Sequence, residues 1–404
     1  MQRAGALVDV MDALPSALRD RGHEVSVALP FYREISENRA FKEKYTGTER
    51  RSALSAQDVP QYSAYLGHQI WLQPSQLGYF VPGYHFGLLV PKPGADPYVT
   101  YGSDEYSHLL RATRYTQAWL EKNGYSYDVI SDSDLDSTPG ILENYQTVLL
   151  AGHSEYWSSR AYNGVQSYLR AKGRLIVLSG NTMYWRVSFS PDGTVMECRK
   201  VEGAGELIDS SRRGEAWHSD DGSRGGLMRE CGFPGWQLTG LETFGILNVD
   251  GPTQSGPPAG DFAFATFHVT APDHFLFDGL KVTLDQGFAP HTIGHECDVR
   301  VVALKDFQDK AGLPDPNGAT PPVEPLGITT LALGRDSDVC CFLWDYFLQD
   351  LPSNVVDRIA EVIYWERPDG GRVFNGGAIG NGIALLTDSI FDGLMRNVLS
   401  HFLG

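Results

Sequence analysis

The chain is poor in cysteine: it has 5 among 404 residues, Cys198, Cys231, Cys297, Cys340 and Cys341. Their number is odd and no CxxC spacing occurs. Cys340 and Cys341 adjoin inside the apolar run VCCFLW. This pattern argues against a disulfide framework and against a structural zinc site. Positive charge is also short, with 33 Lys and Arg against 50 Asp and Glu and a net charge of −17. Such a balance repels phosphate backbones and anionic lipid, so neither nucleic acid nor membrane is expected as a partner. There is no run of about 18 apolar residues that could span a bilayer. The first residues, MQRAGALVDVMDALPSALRDRGHE, lack the apolar core of a secretory leader, and a cytoplasmic location is expected.

The chain is rich enough in apolar residues (42%) to bury a sizeable core, and its 44 glycines and 23 prolines speak for many turns. Length alone predicts two or three domains. Residues 5 to 22 place Leu7, Val8, Met11, Leu14 and Leu18 on one helical face, and EVSVALP follows as a buried strand. Residues 33 to 62 are polar and without period. Residues 66 to 92 mix aromatics with glycine, as short strands and loops do.

From residue 104 the pattern changes. A helix is expected to run through Trp119 and Leu120 and to stop at Asn123-Gly124. A short strand is expected from Tyr127 to Ile130, then an acidic loop. Thr147 to Leu150 reads as a buried strand, residues 159 to 171 as a helix with Tyr162, Val165, Tyr168 and Leu169 inward, and residues 174 to 179 as another strand. Strand, helix, strand at this spacing is a βαβ unit and predicts a parallel sheet. Residues 186 to 335, with alternating runs such as FAFATFHVT and VRVVAL, read as a β-rich insertion packed against the sheet's edge. A helix is expected at 353 to 364, a glycine-rich strand segment after it, and a terminal helix from 387 to 403.

In open parallel sheets ligands gather beyond the carboxyl ends of the strands. Two post-strand loops qualify: His153-Ser154-Glu155-Tyr156-Trp157 and Gly180-Asn181-Thr182-Met183-Tyr184-Trp185. Their aromatics could equally fill the crevice while the polar groups cap the following helices. Nucleophilic catalysis is not expected. The turn SGNTMYW holds no thiol, and Ser154 lacks the glycines of a nucleophile elbow. HTIGHECD brings His291, His295, Glu296 and Asp298 close in sequence, but it is not HExxH, and loop roles are the simpler reading.

The segments WLEKNGYSYDVISDSDL, LLAGHSEYWS, GRLIVLSGNTMYWRVSF, GGRVFNGGAIGNG and MRNVLSHFL, in that order, resemble the C-terminal domain of the N,N-dimethylformamidase large-subunit family. The resemblance covers about residues 110–404 and is strongest from 119 to 188. It implies an α/β fold of the glutamine-amidotransferase (flavodoxin-like) kind, a parallel-sheet sandwich carrying a β-rich insertion at about 189–330. It further implies hydrolysis of a small amide at a mononuclear iron held by two tyrosines and a glutamate, hard oxygen donors suited to that metal. Carried onto this chain, Tyr156 and Tyr115 become the tyrosine ligands. Glu242 and Glu296 are the contenders for the acidic ligand. Glu242 is assigned to the metal, and Glu296 with His218 to catalysis. The expected partners are a small-molecule substrate and either a small partner subunit or a further copy of the chain.

Residues 1–46 are similar to the N-terminal region of bacterial glycogen (starch) synthases. There Gln2-Arg3-Ala4-Gly5-Ala6-Leu7 replaces the family's Lys-x-Gly-Gly-Leu, so the lysine and one glycine are missing. Residues 47–109 are then a connecting region. A glycosyltransferase and a non-catalytic, carbohydrate-associated module are the two alternatives, the latter with Trp71, Tyr79, Tyr84, Trp157, Tyr184 and Trp185 as candidate sugar-stacking residues.

Overall fold

A computed structural model describes residues 85–88, 110–199, 217–247, 265–293, 296–313, 322–335, 342–343, 346–347, 351–352 and 354–404. Expectations for residues 1–84 and 89–109, including the synthase-like segment, lie outside the described residues.

The βαβ unit forms where the sequence puts it. Strand β2 (Thr147–Ala151) leads through a short strand β3 (Tyr156–Ser158) into a helix at Ser159–Arg170, and β4 (Arg174–Leu178) follows. The Ser158 hydroxyl accepts the Ala161 N–H and caps that helix, which buries Ala161, Tyr162, Val165, Tyr168 and Leu169. Those positions follow the i, i+4, i+7 stripe of a helix lying on a sheet. Ahead of the unit, the helix Leu110–Lys122 ends as expected, with Gly124 at φ +74°. Its Trp119 is fully buried and donates Nε1–H to Asp392 at 2.6 Å. Asp392 lies in the terminal helix Ser389–Leu403, which Asp388 caps through the Ile390 and Phe391 amides.

The parallel-sheet sandwich expected from the resemblance is not what forms. The largest sheet has seven strands in the order β2-β4-β14-β13-β11-β8-β9. Here β8 is Ala265–Val269, β9 Gly287–Ile293, β11 Ile328–Gly334, β13 Ala360–Glu366 and β14 Arg372–Asn375. Only β2 with β4 and β4 with β14 are parallel; the other pairs are antiparallel. The flavodoxin-like reading fails because β13 and β14 form a hairpin closed at Asp369 to Gly371, which reverses strand direction without a helical crossover.

Three strands of the expected insertion, β8, β9 and β11, belong to this sheet instead of packing upon it. Residues 360 to 365 are all buried, Glu361 included, and where the sequence reads as a helix the chain runs as a strand. The run VRVVAL opens a helix at Val301–Ala311. Among the described residues Tyr127 to Ile130 pairs with no strand, and Ser131 caps a short helix, Asp132–Ser137.

Two smaller sheets complete the described fold. One has the order β1-β6-β5-β3, with β1 His85–Gly87, β5 Trp185–Phe189 and β6 Val195–Cys198. The other has the order β10-β7-β12, with β7 Glu242–Leu247, β10 Glu296–Val299 and β12 Phe342–Leu343. The parallel strands β2, β4 and β14 end together, and β10 crosses beside those ends. It is tied to the glycine-rich turn after β14 by Ile379 N–H to Glu296 O (3.2 Å) and Asp298 N–H to Gly377 O (3.0 Å). No described helix is long and apolar enough to cross a membrane.

Candidate metal centre

The loop leaving β2 turns at Gly152 (φ +73°), where the helix Leu110–Lys122 presses close. A Cβ on Gly152 would meet Thr113 Oγ1 at 2.5 Å, and Thr113 donates to Ala151 O at 3.2 Å. The next residue, His153, therefore leaves the sheet at a fixed angle. Its Nε2 lies 3.4 Å from Glu155 Oε2 and 3.2 Å from Glu296 Oε1. One donor atom from each of the three residues falls within 4.8 Å of the other two, and both carboxylates are buried. Buried carboxylates need compensating charge or hydrogen bonds, and these two stand beside one imidazole.

The second loop holds the first in place. Ser154 Oγ lies 3.0 Å from Ser179 Oγ and 3.1 Å from Thr182 Oγ1. The Met183 amide donates to Ser154 O, and the Tyr184 and Trp185 amides both donate to Glu155 O. Asn181 and Met183 take positive φ (+48° and +63°), a left-handed backbone unusual for non-glycine residues. Such strain persists where surrounding contacts impose it.

Tyr156 is packed beside His153, with ring centroids 6.2 Å apart and planes 14° from parallel. Burial, and then the negative charge of Glu155, push its phenol well above the ordinary range. Burial likewise pushes the Asp298 carboxyl well up, although it accepts the amides of Asn181 (2.8 Å) and Thr182.

The sequence-assigned residues fall in four places. Glu296 and Tyr156 are at this cluster. Tyr115 is on the helix Leu110–Lys122, whose Thr113 docks on the turn before His153. Glu242 is fully buried elsewhere, 3.6 Å from Arg229, whose guanidinium stacks over Tyr346 and Tyr184 at 4.6 and 5.4 Å. Burial raises the Glu242 carboxyl, and Arg229 pulls it the other way. His218 is buried against β5, its Nδ1 2.6 Å from Ser188 Oγ. Desolvation and the Arg186 charge push its imidazole down to about 4. Neither Glu242 nor His218 is among the three clustered residues. The sequence reading passed over His153 and Glu155 as donors. Their signal was the H-x-E spacing on a post-strand loop, where alternate residues of an extended segment share a face.

The family model described as N,N-dimethylformamidase beta subunit-like, C-terminal, matches residues 61–389. The chain belongs to this family. Within the dimethylformamidase-like family, it is 35% identical over 132 residues to the N,N-dimethylformamidase beta subunit of Alcaligenes sp and, equally, to that of Paracoccus aminophilus. That alignment covers 32% of this chain and spans 17% of the length of each relative. A separate match of 36 residues, 53% identical, is to Glycogen synthase 2 of Geobacter metallireducens, covering 9% of this chain and 7% of that protein. As a member of the dimethylformamidase-like family the chain is related to amide hydrolases. The aromatics of its two loops, Trp157, Tyr184 and Trp185, are buried and offer no face on which a sugar could stack.

Proposed function

We propose that the protein hydrolyses the C–N bond of a small amide at a mononuclear metal held by His153, Glu155 and Glu296, with Tyr156 as a further ligand when the metal is bound. The observation that carries the reading is the convergence of three buried N and O donors at the carboxyl ends of the parallel strands. A nitrogen and carboxylate donor set suits a first-row cation such as iron. Such a metal, when bound, supplies Lewis acidity that polarises an amide carbonyl and acidifies water.

The chain's own groups do the rest. Gly152 and Gly180 let the backbones of the neighbouring elements close on the donors, so the site is shaped by packing before any ligand arrives. His153 Nε2 faces both carboxylates, and binding a cation there requires that nitrogen as a lone pair. Tyr156 stays a neutral phenol while Glu155 and Glu296 are the charges around it. Tyr115, on the helix docked beside the His153 turn, is assigned as a second tyrosine of the centre. In this reading Glu242 is the counter-ion of Arg229. A partner subunit is part of the proposal too, since both relatives are named as beta subunits.

The test is the metal content and visible absorption of the purified chain, in wild type and Tyr156→Phe. One iron per chain, with a tyrosinate-to-iron charge-transfer band that the substitution weakens, is expected. Protein that takes up no iron when it is supplied, and shows no band, rules the reading out.

A further inference from the structure

Glu296 and Asp298 point two consequences of one strand toward the same place. Glu296 supplies a donor of the cluster, and Asp298, two residues on, accepts the Asn181 amide at 2.8 Å and the Thr182 amide as well. Both amides belong to the turn after β4, the one strained at Asn181 and Met183. From that turn Thr182 Oγ1 reaches Ser154 Oγ at 3.1 Å, and the Met183 amide reaches Ser154 O at 3.0 Å. Ser154 lies between His153 and Glu155. Asp298 is itself 1% exposed. It is therefore the buried anchor through which β10 grips the turn, and the turn grips the loop that carries the other two donors.

We propose that Asp298 is a positioning residue of the metal centre: it fixes the distance between Glu296 and the His153–Glu155 pair by clamping the Asn181–Thr182 backbone. This rests on the metal reading above. The clamp is a geometric requirement. Two donors come from the loop after β2 and the third from β10, more than a hundred residues later in the chain. Backbone pairing with the turn after β14 fixes β10 on one side. On the loop side, Asp298 reaches across from β10 to the turn that bonds Ser154. Groups that orient metal ligands from behind commonly change affinity 10- to 100-fold when removed.

The experiment uses the full chain, stripped of metal by a chelator and titrated with ferrous iron without oxygen, alongside its metal-free melting temperature. Wild type, Asp298→Ala and Asp298→Asn are compared. Asp298→Ala should hold iron at least about tenfold more weakly. Asp298→Asn, which keeps a carbonyl acceptor of the same shape, should recover affinity to within a few-fold. A merely structural role would lower the melting temperature of both variants and leave the iron affinity of the folded protein unmoved; that result overturns the inference. If Asp298→Ala does not fold, Thr182→Val reads the same relay through its lost hydroxyl, and unchanged iron affinity in it overturns the inference as well. Wild-type protein that binds no iron fails at the earlier step, against the metal reading and the clamp with it.

Discussion

A Cβ on Gly180 would lie 2.5 Å from the carbonyl oxygen of Glu296 and 2.9 Å from its Cβ. Glycine at this place is a condition for Glu296 to stand where it does, since the obstructing atoms are backbone and cannot rotate away. Gly180→Ala should therefore push β10 from the turn. A loss of about 1–3 kcal/mol is expected from the overpacking alone, together with weaker iron binding. Urea unfolding and an iron titration measure the two effects, and an alanine variant equal to wild type in both would show that the contact is loose.

Metal should stabilise the folded chain by linkage. At a free iron concentration a hundred times the dissociation constant, the gain is about 2.7 kcal/mol. Thermal unfolding with and without a chelator should differ accordingly, by a few degrees for a domain of this size. His153→Ala should abolish the difference. A melting temperature that chelator does not move, in protein shown to carry iron, would contradict a site made of folded-state ligands.

The Arg229–Glu242 pair is buried, and its members should not be separable cheaply. Glu242→Gln takes the carboxylate at 3.6 Å from the buried guanidinium under Tyr184 and Tyr346 and leaves Glu230 to offset it, and a loss of about 3–5 kcal/mol is expected. Replacing both, as Arg229→Met with Glu242→Leu, should restore much of it. Chemical denaturation of the single and double variants closes the cycle. A single substitution costing under about 1 kcal/mol would mean that the pair is hydrated in solution.

His218 gives the chain an acid-side weakness. Its folded-state pKa of about 4 lies below the ordinary 6.5. Between those values the unfolded chain binds a proton that the folded chain refuses, so stability rises with pH through this window and falls as the medium is acidified. The group is worth up to about 3 kcal/mol across it. His218→Asn, which can still meet the Ser188 hydroxyl, should flatten the dependence between pH 4 and 6.5. Identical slopes in variant and wild type would place the acid sensitivity in the carboxylates.

How much was legible follows from the range of each signal. The helix ending at Gly124, the β2–helix–β4 unit and the terminal helix were readable because caps and apolar periods are local. Ala360 to Tyr364 were misread as helix because a strand covered on both faces buries every position, Glu361 included, and so lacks the alternation of a half-exposed strand. The direction of β13 depends on its pairing with β11 and β14, which no local window contains. At the site, Tyr156 was reachable through its motif and Glu296 was named only as one of two acids. Where the two acids lie is a tertiary matter that no local window shows: Glu296 enters beside His153 and Glu242 beside Arg229.

The order of the strands also bears on when the centre can exist during synthesis. His153 and Glu155 leave the ribosome long before Glu296, and Glu296 is held by Ile379, just past the hairpin of β13 and β14. A nascent chain thus carries two of the donors well before the third can join them. On the metal reading proposed above, a cation could be held by all three donors only in a chain folded past Ile379.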